Sequence, residues 1–121
     1  MSALTLVGIG LLGGVGALGR FLLDGAVSAR LGRGFPFGTL AVNLTGTLAL
    51  GVLVGAAVSD ETLRLAGTGL LGAYTTFSTW AFESHRLGED GRRPLGAVNF
   101  AASLVLGVAV AWTGEQLGGA L

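Results

Sequence analysis

No cysteine and no lysine occur among the 121 residues. The first absence excludes a disulfide framework and any thiolate metal site. The second leaves arginine as the sole permanently charged cation, seven in all, balanced by seven acids. With no net charge and no basic run there is no electrostatic footprint for nucleic acid, so no nucleic-acid partner is expected. Charge of either sign is scarce: 12% of the chain, against roughly 25% in ordinary soluble proteins. Proline occurs twice and histidine once. In their place stand 51% hydrophobic residues, a mean hydropathy of +0.75 and 23 glycines. Glycine at that density weakens a helix in water, but in a bilayer it lets helix backbones approach closely. The composition therefore excludes an ordinary soluble domain and specifies one compact all-α unit embedded in lipid.

Four apolar stretches are separated by short polar segments: about 4–23, 37–58, 65–82 and 95–113. Each approaches the roughly 20 residues needed to cross a hydrocarbon core. The first lacks the basic flank of a signal peptide and three more follow it, so it reads as a retained span. Four crossings are expected, in one domain over 1–121.

The charges fall between the spans. Asp24, Arg30 and Arg33 are expected in the first loop, Asp60, Glu61 and Arg64 in the second, and His85, Arg86, Glu89, Asp90, Arg92 and Arg93 in the third. Arg20 and Glu83 sit near the ends of spans one and three, on the same side of the membrane. Their spacing allows an ion pair, or simple snorkelling of each to the interface. Six arginines fall on that side and Arg64 alone on the other. The positive-inside rule then places loops one and three in the cytoplasm and both termini outside.

Polar groups inside a bilayer are costly, so each calls for a reason. Thr39, Asn43 and Thr47 lie at i, i+4 and i+8 on one helical face. Asn99 and Ser103, with Gly107 a turn further on, form a second stripe. Span three carries Tyr74-Thr75-Thr76-Phe77-Ser78-Thr79-Trp80, just after Gly72. Its threonine hydroxyls can back-bond to helix carbonyls. The segment can run as a continuous helix or break and free carbonyls for a cation. No stripe holds a mid-membrane carboxylate, which argues against proton- or cation-coupled transport. Neutral donors (amide NH₂, hydroxyls, the Trp80 indole N–H) suit a small hydrated anion that must replace its water. Phe77 and Trp80, at i and i+3, either present weakly positive ring edges on one face or pack between helices. Gly10/Gly14 and Gly51/Gly55 each have the GxxxG spacing of close helix packing, which glycine abundance can also produce by coincidence.

Three segments together carry a resemblance. Gly13-Gly14-Val15-Gly16-Ala17-Leu18-Gly19-Arg20-Phe21, Gly38-Thr39-Leu40-Ala41-Val42-Asn43-Leu44-Thr45-Gly46 and Gly72-Ala73-Tyr74-Thr75-Thr76-Phe77-Ser78-Thr79-Trp80 resemble, in order and spacing, the GGxxGAxxR, GTLxxNxxG and GxxTTFSTF signatures of the Fluc/CrcB fluoride channels. The resemblance covers nearly the whole chain. It implies a multi-pass protein of a prokaryotic plasma membrane that lowers cytoplasmic fluoride by passive export. It implies an antiparallel dimer of four-helix subunits, with helix three broken near its middle. It also implies one structural Na+ at the dimer interface, bound rather than transported, on the backbone of Gly72 and Thr75. Asn43, Phe77 and Trp80 would line the fluoride pathway, Arg20 would match an arginine near its vestibule, and Glu83 a family acid. Thr39, Asn99 and Ser103 are further pathway candidates. The chain departs from the family pattern at Trp80, where a second phenylalanine is usual, and at Asn99, where helix four often has tyrosine. Its arginine bias also differs from members that insert both ways. Pairing is therefore expected either with a second copy or with an oppositely oriented homologue.

Three rivals remain to be weighed. A small multidrug transporter needs an acid within its first span, and none precedes Asp24. A subunit without transport of its own is compatible with the same spans. An enzyme would have to use Ser84 and His85, adjacent residues at a membrane boundary. No enzymatic activity is expected.

Overall fold

The computed structural model describes residues 1–121 and is helical throughout. Helix α1 spans Ala3–Leu31 and α2 spans Phe37–Gly55. A short turn, α3 (Asp60–Thr62), leads into a π-helical stretch, Leu63–Leu71, and then α4 (Gly72–Tyr74). Helix α5 spans Ser78–Glu89 and α6 spans Arg93–Gly119. Three helices, α1, α2 and α6, are long and apolar enough to cross a membrane. At 1.5 Å per residue they are about 44, 29 and 40 Å long. The apolar stretch at 65–82 is instead assembled from the π-helical stretch, α4 and the start of α5, and is not one of the three.

Local chemistry explains the ends. Ser2 caps α1, its hydroxyl accepting from the Thr5 N–H at 3.1 Å, and Gly32 ends it at φ +78°. Ser59 caps α3 the same way through Thr62, with Asp60 and Glu61 in the first turn. A proline near the start of α6 occupies a position where the missing N–H costs nothing.

Helices α1 and α5 run past the apolar stretches. Asp24 and Arg30, expected in a loop, lie on α1, while His85, Arg86 and Glu89 lie on α5 and Arg93 opens α6. Arg64 lies in the π-helical stretch, and Asp60 and Glu61 on α3. Of the residues assigned to loops, Arg33, Asp90 and Arg92 alone are outside helices. Hydropathy marks where hydrocarbon ends, whereas backbone hydrogen bonding continues into the interface.

The interior is built from small and polar residues. Val42, Trp80 and Leu87 are the only large hydrophobic side chains buried within the chain, while Leu4, Leu11, Phe21, Val105 and Val108 are exposed. That inversion suits a lipid surround, which is as apolar as a leucine core. Glycines form the seams instead. A Cβ on Gly51 would meet the Ala111 carbonyl at 2.7 Å, and one on Gly55 would overlap the Glu115 carbonyl. From the other side, a Cβ on Gly118 would overlap the Val52 carbonyl. The Gly51/Gly55 pair thus packs α2 on α6. Gly10 and Gly14 do not pack within the chain: a Cβ on either meets nothing within 4 Å. On α1 the close approach is made by Gly16, against the Leu70 carbonyl.

Candidate functional site

The site is organised around a gap in the helical backbone. Helix α4 ends at Tyr74, Thr75 is extended at φ −80°, ψ 163°, and α5 begins at Ser78. Thr75 donates its N–H and its hydroxyl to the Leu71 carbonyl, each at 3.0 Å. Its own carbonyl accepts no hydrogen bond within the chain, and neither does that of Gly72. The Thr76 hydroxyl caps α5 by accepting from the Thr79 N–H at 3.2 Å. Across the gap, Asn43 on α2 is bonded twice to Thr76. Its Nδ2 donates to the Thr76 carbonyl at 2.9 Å, and its Oδ1 accepts the Thr76 N–H at 2.8 Å.

A cavity of about 320 Å³ opens against this gap, lined by Asn43, Thr47, Gly72, Thr75, Phe77, Trp80 and Ser103, with Gly107 beyond. Six of the residues picked out for the fluoride pathway and the backbone site, Asn43, Gly72, Thr75, Phe77, Trp80 and Ser103, are therefore brought together there. No ionisable side chain lines the cavity. Three side-chain polar hydrogens of the lining remain uncommitted within the chain: the second Nδ2 hydrogen of Asn43 and the hydroxyls of Thr47 and Ser103.

Arg20 and Thr39 lie elsewhere, in a neighbouring cavity of about 210 Å³ with Asp24, Thr76 and Thr79. Thr76 faces both cavities and separates them. The Thr39 hydroxyl donates to Glu83 Oε1. Arg20 and Glu83 form no ion pair, and the only ion-pair contacts in the chain are His85–Glu89 and Arg86–Asp90. Glu83 opens instead onto a third cavity, about 460 Å³, ringed by Arg33, Arg86 and Arg92 with Asp90.

The two aromatics differ in their surroundings. Phe77 is 73% exposed, whereas Trp80 is 8% exposed. Their rings meet edge to face at 5.2 Å and 73°, and Trp80 stacks on Phe100 of α6 at 4.8 Å. The Trp80 indole N–H, counted from sequence as a donor for an anion, is already given to the Asn99 carbonyl at 3.3 Å. Asn99 itself is buried at 2% exposure, donating through Nδ2 to Ser84 Oγ at 2.8 Å. Its amide supports the α5–α6 junction and does not line the cavity.

Ser84 donates its hydroxyl to the Trp80 carbonyl at 2.9 Å, while the His85 ring pairs with Glu89 at 2.9 Å on the exposed surface. The adjacent Ser84 and His85 therefore make no nucleophile–base pair. No group of three or more acidic or histidine side chains could hold a metal, so a cation would have to rely on backbone and hydroxyl oxygens.

Thr47 was legible only as a member of the polar stripe on α2, and Thr76 is the residue to which sequence assigned no role of its own. Thr76 carried one signal, a threonine three residues before Thr79 in a cap-like spacing. Its pairing with Asn43 carried none, because the two are far apart in the chain.

Residues 7–115 match the family described as "CrcB-like protein, Camphor Resistance (CrcB)". A "Fluoride-specific ion channel FluC 2" of Mycolicibacterium paratuberculosis is 53% identical over 111 residues, covering 92% of this chain and 91% of the relative. A "Fluoride-specific ion channel FluC" of Geobacter metallireducens is 44% identical over 116 residues, 92% and 94% of the two chains. Another of that description, from Citrifermentans bemidjiense, is 45% identical over 121 residues, 96% and 98%.

Proposed function

The chain belongs to the CrcB family, a family of ion channels rather than enzymes, and from that premise we propose that it is the subunit of a fluoride-specific channel. The channel lowers cytoplasmic fluoride by letting it leave passively down its gradient, across the plasma membrane of a prokaryote. One observation carries the reading on this chain's own residues. The cavity against the helix gap is lined by neutral donors and aromatic rings and holds no ionisable side chain. Fluoride is small and strongly hydrated, so it enters a narrow path only where hydrogen-bond donors replace its water. The free hydrogens of Asn43, Thr47 and Ser103 supply such donors. The exposed ring of Phe77 supplies a positive edge beside them. A fixed carboxylate there would repel the ion, and none is present.

The path continues toward Arg20 and Thr39, whose cavity shares Thr76 with the first. Arg20 shares that cavity with Asp24 and offsets its charge there, and the Thr39 hydroxyl stands at its margin on Glu83. Trp80 contributes to the constriction through its ring alone, since its N–H is engaged by Asn99.

A structural Na+ fits the oxygen set present. The carbonyls of Gly72 and Thr75 accept no hydrogen bond within the chain, and unpaired carbonyls in a membrane interior call for a partner. Bound there, the ion would supply a fixed positive charge at the subunit interface without being transported. The subunits pair antiparallel across this face, with two such carbonyl pairs facing one another. The six-to-one arginine bias favours a single insertion direction, and hence an oppositely oriented homologue as partner, over a second copy of this chain.

Growth tests the function directly. Expression in a bacterium stripped of its own fluoride exporters, with and without a homologue of opposite charge bias, should restore growth in millimolar fluoride. Failure under both conditions, with the protein present in the membrane, would contradict the proposal.

A further inference from the structure

The two hydrogen bonds between Asn43 and Thr76 answer a question raised by the helix gap. In an unbroken helix the Thr76 N–H would donate to the carbonyl four residues earlier, Gly72, and the Thr76 carbonyl would accept from Trp80. Neither happens. The N–H goes to Asn43 Oδ1 at 2.8 Å and the carbonyl accepts from Asn43 Nδ2 at 2.9 Å. Buried main-chain groups must be paired, and Thr76 is buried. Asparagine is the shortest side chain carrying a donor and an acceptor in one plane, so it can satisfy both groups of a single residue, as a neighbouring β-strand would.

We propose that Asn43 is a positioning residue, whose amide diverts the Thr76 N–H away from the Gly72 carbonyl and thereby both holds the backbone open and leaves that carbonyl free for a cation. One amide face performs this task, and the remaining Nδ2 hydrogen faces the cavity. Asn43 thus couples the anion path on α2 to the backbone oxygens of the gap. Its cation arm rests on the sodium reading above, whereas the lock on Thr76 does not.

The neighbouring residues are consistent with a held geometry. A Cβ on Gly46, one turn after Asn43, would overlap the Thr75 methyl and come within 3.1 Å of the Tyr74 ring. Thr75 and Tyr74 thus already lie against α2 at Gly46, which leaves Thr75 no room to move closer there.

Substitution separates the two hydrogen bonds. Asn43→Asp keeps an acceptor for the Thr76 N–H and loses the donor, whereas Asn43→Ala loses both. Residue-resolved amide exchange on the purified protein reads the N–H directly. In the unsubstituted protein the Thr76 amide should exchange at least about tenfold more slowly than that of Phe77, which donates no hydrogen bond. Asn43→Ala should accelerate Thr76 by about tenfold, and Asn43→Asp should leave it slow. Ser103→Ala should leave it slow while still reducing flux. Equal exchange at Thr76 and Phe77 in the unsubstituted protein would overturn the lock even if Asn43→Ala fails to assemble. So would Thr76 exchange that is the same with alanine as with asparagine.

Sodium-dependent protection against thermal unfolding, measured against N-methylglucamine, reads the cation arm. The sodium concentration giving half-protection should rise about tenfold in Asn43→Ala and stay unchanged in Ser103→Ala. No protection by sodium in the unsubstituted protein would remove the sodium reading and leave the exchange result to decide the lock. Protection with an unchanged midpoint in Asn43→Ala would overturn the coupling.

Discussion

Trp80 and Asn99 are joined in a closed hydrogen-bonded ring: the indole N–H reaches the Asn99 carbonyl, the Asn99 amide reaches Ser84, and Ser84 returns to the Trp80 carbonyl. The two positions where this chain departs from the family pattern therefore meet. The tryptophan has gained a polar atom, and α6 supplies its partner. With Phe100 stacked on its face, Trp80 is held to α6.

Trp80→Phe keeps the ring and removes the N–H. Losing the indole's bond to the Asn99 main-chain carbonyl should cost about 1 kcal/mol, seen as a lower unfolding midpoint, with fluoride flux retained. Trp80→Ala should cost about 3–5 kcal/mol and lose assembly. Loss of flux in a stable Trp80→Phe protein would mean that the indole N–H serves the anion after all.

Phe77 is the converse case, a large aromatic with most of its surface outside the chain's own packing. Phe77→Ile should lower flux by about tenfold or more, equivalent to roughly 1.4 kcal/mol at the constriction. The thermal midpoint should barely move. A large fall in stability with flux per folded channel preserved would assign the ring to packing.

The glycine seam gives a stability prediction with an internal control. Gly55→Ala and Gly118→Ala each force a methyl into a facing carbonyl and should cost about 1–3 kcal/mol. Gly10→Ala has open space and should change the fold's stability by less than about 0.5 kcal/mol. Equal effects at Gly55 and Gly10 would contradict the seam.

Legibility from sequence followed what each signal physically encodes. Hydropathy located α1, α2 and α6 because it reports where hydrocarbon lies, yet it missed that Asp24 and Arg30 stay helical. GxxxG spacing marked Gly10/Gly14 and Gly51/Gly55 alike, but spacing names a face without naming what covers it. Only the second pair meets a facing helix within the chain, at Ala111 and Glu115. Asn43, Phe77 and Ser103 were identifiable as polar or aromatic groups in the wrong solvent. That Asn43 spends half its amide on Thr76, and that Trp80 spends its N–H on Asn99, depends on contacts across helices that no local pattern records.

Thr75 separates side-chain from main-chain roles. Thr75→Val removes only the hydroxyl bonded to Leu71 and should retain sodium protection and flux. Thr75→Pro removes the N–H that donates to Leu71 and disfavours the helical conformation of Tyr74. It should abolish both. Retention of sodium protection in Thr75→Pro would exclude this backbone as the cation site.

The absence of cysteine makes orientation measurable with one introduced thiol. A cysteine added at either terminus should react with an impermeant reagent from the outside only, if the six-arginine face lies in the cytoplasm as the positive-inside rule predicts. Equal labelling from both sides would end the case for a fixed orientation and restore pairing with a second copy.

The central claim is selective fluoride conduction, and efflux from liposomes tests it most directly. The purified chain, reconstituted alone and with a homologue of opposite charge bias, is loaded with fluoride or chloride and followed with ion-selective electrodes. The account predicts rapid fluoride release in at least one of the two preparations, with no chloride release above that of empty vesicles. Release of both anions at similar rates, or of neither in both preparations, would contradict it.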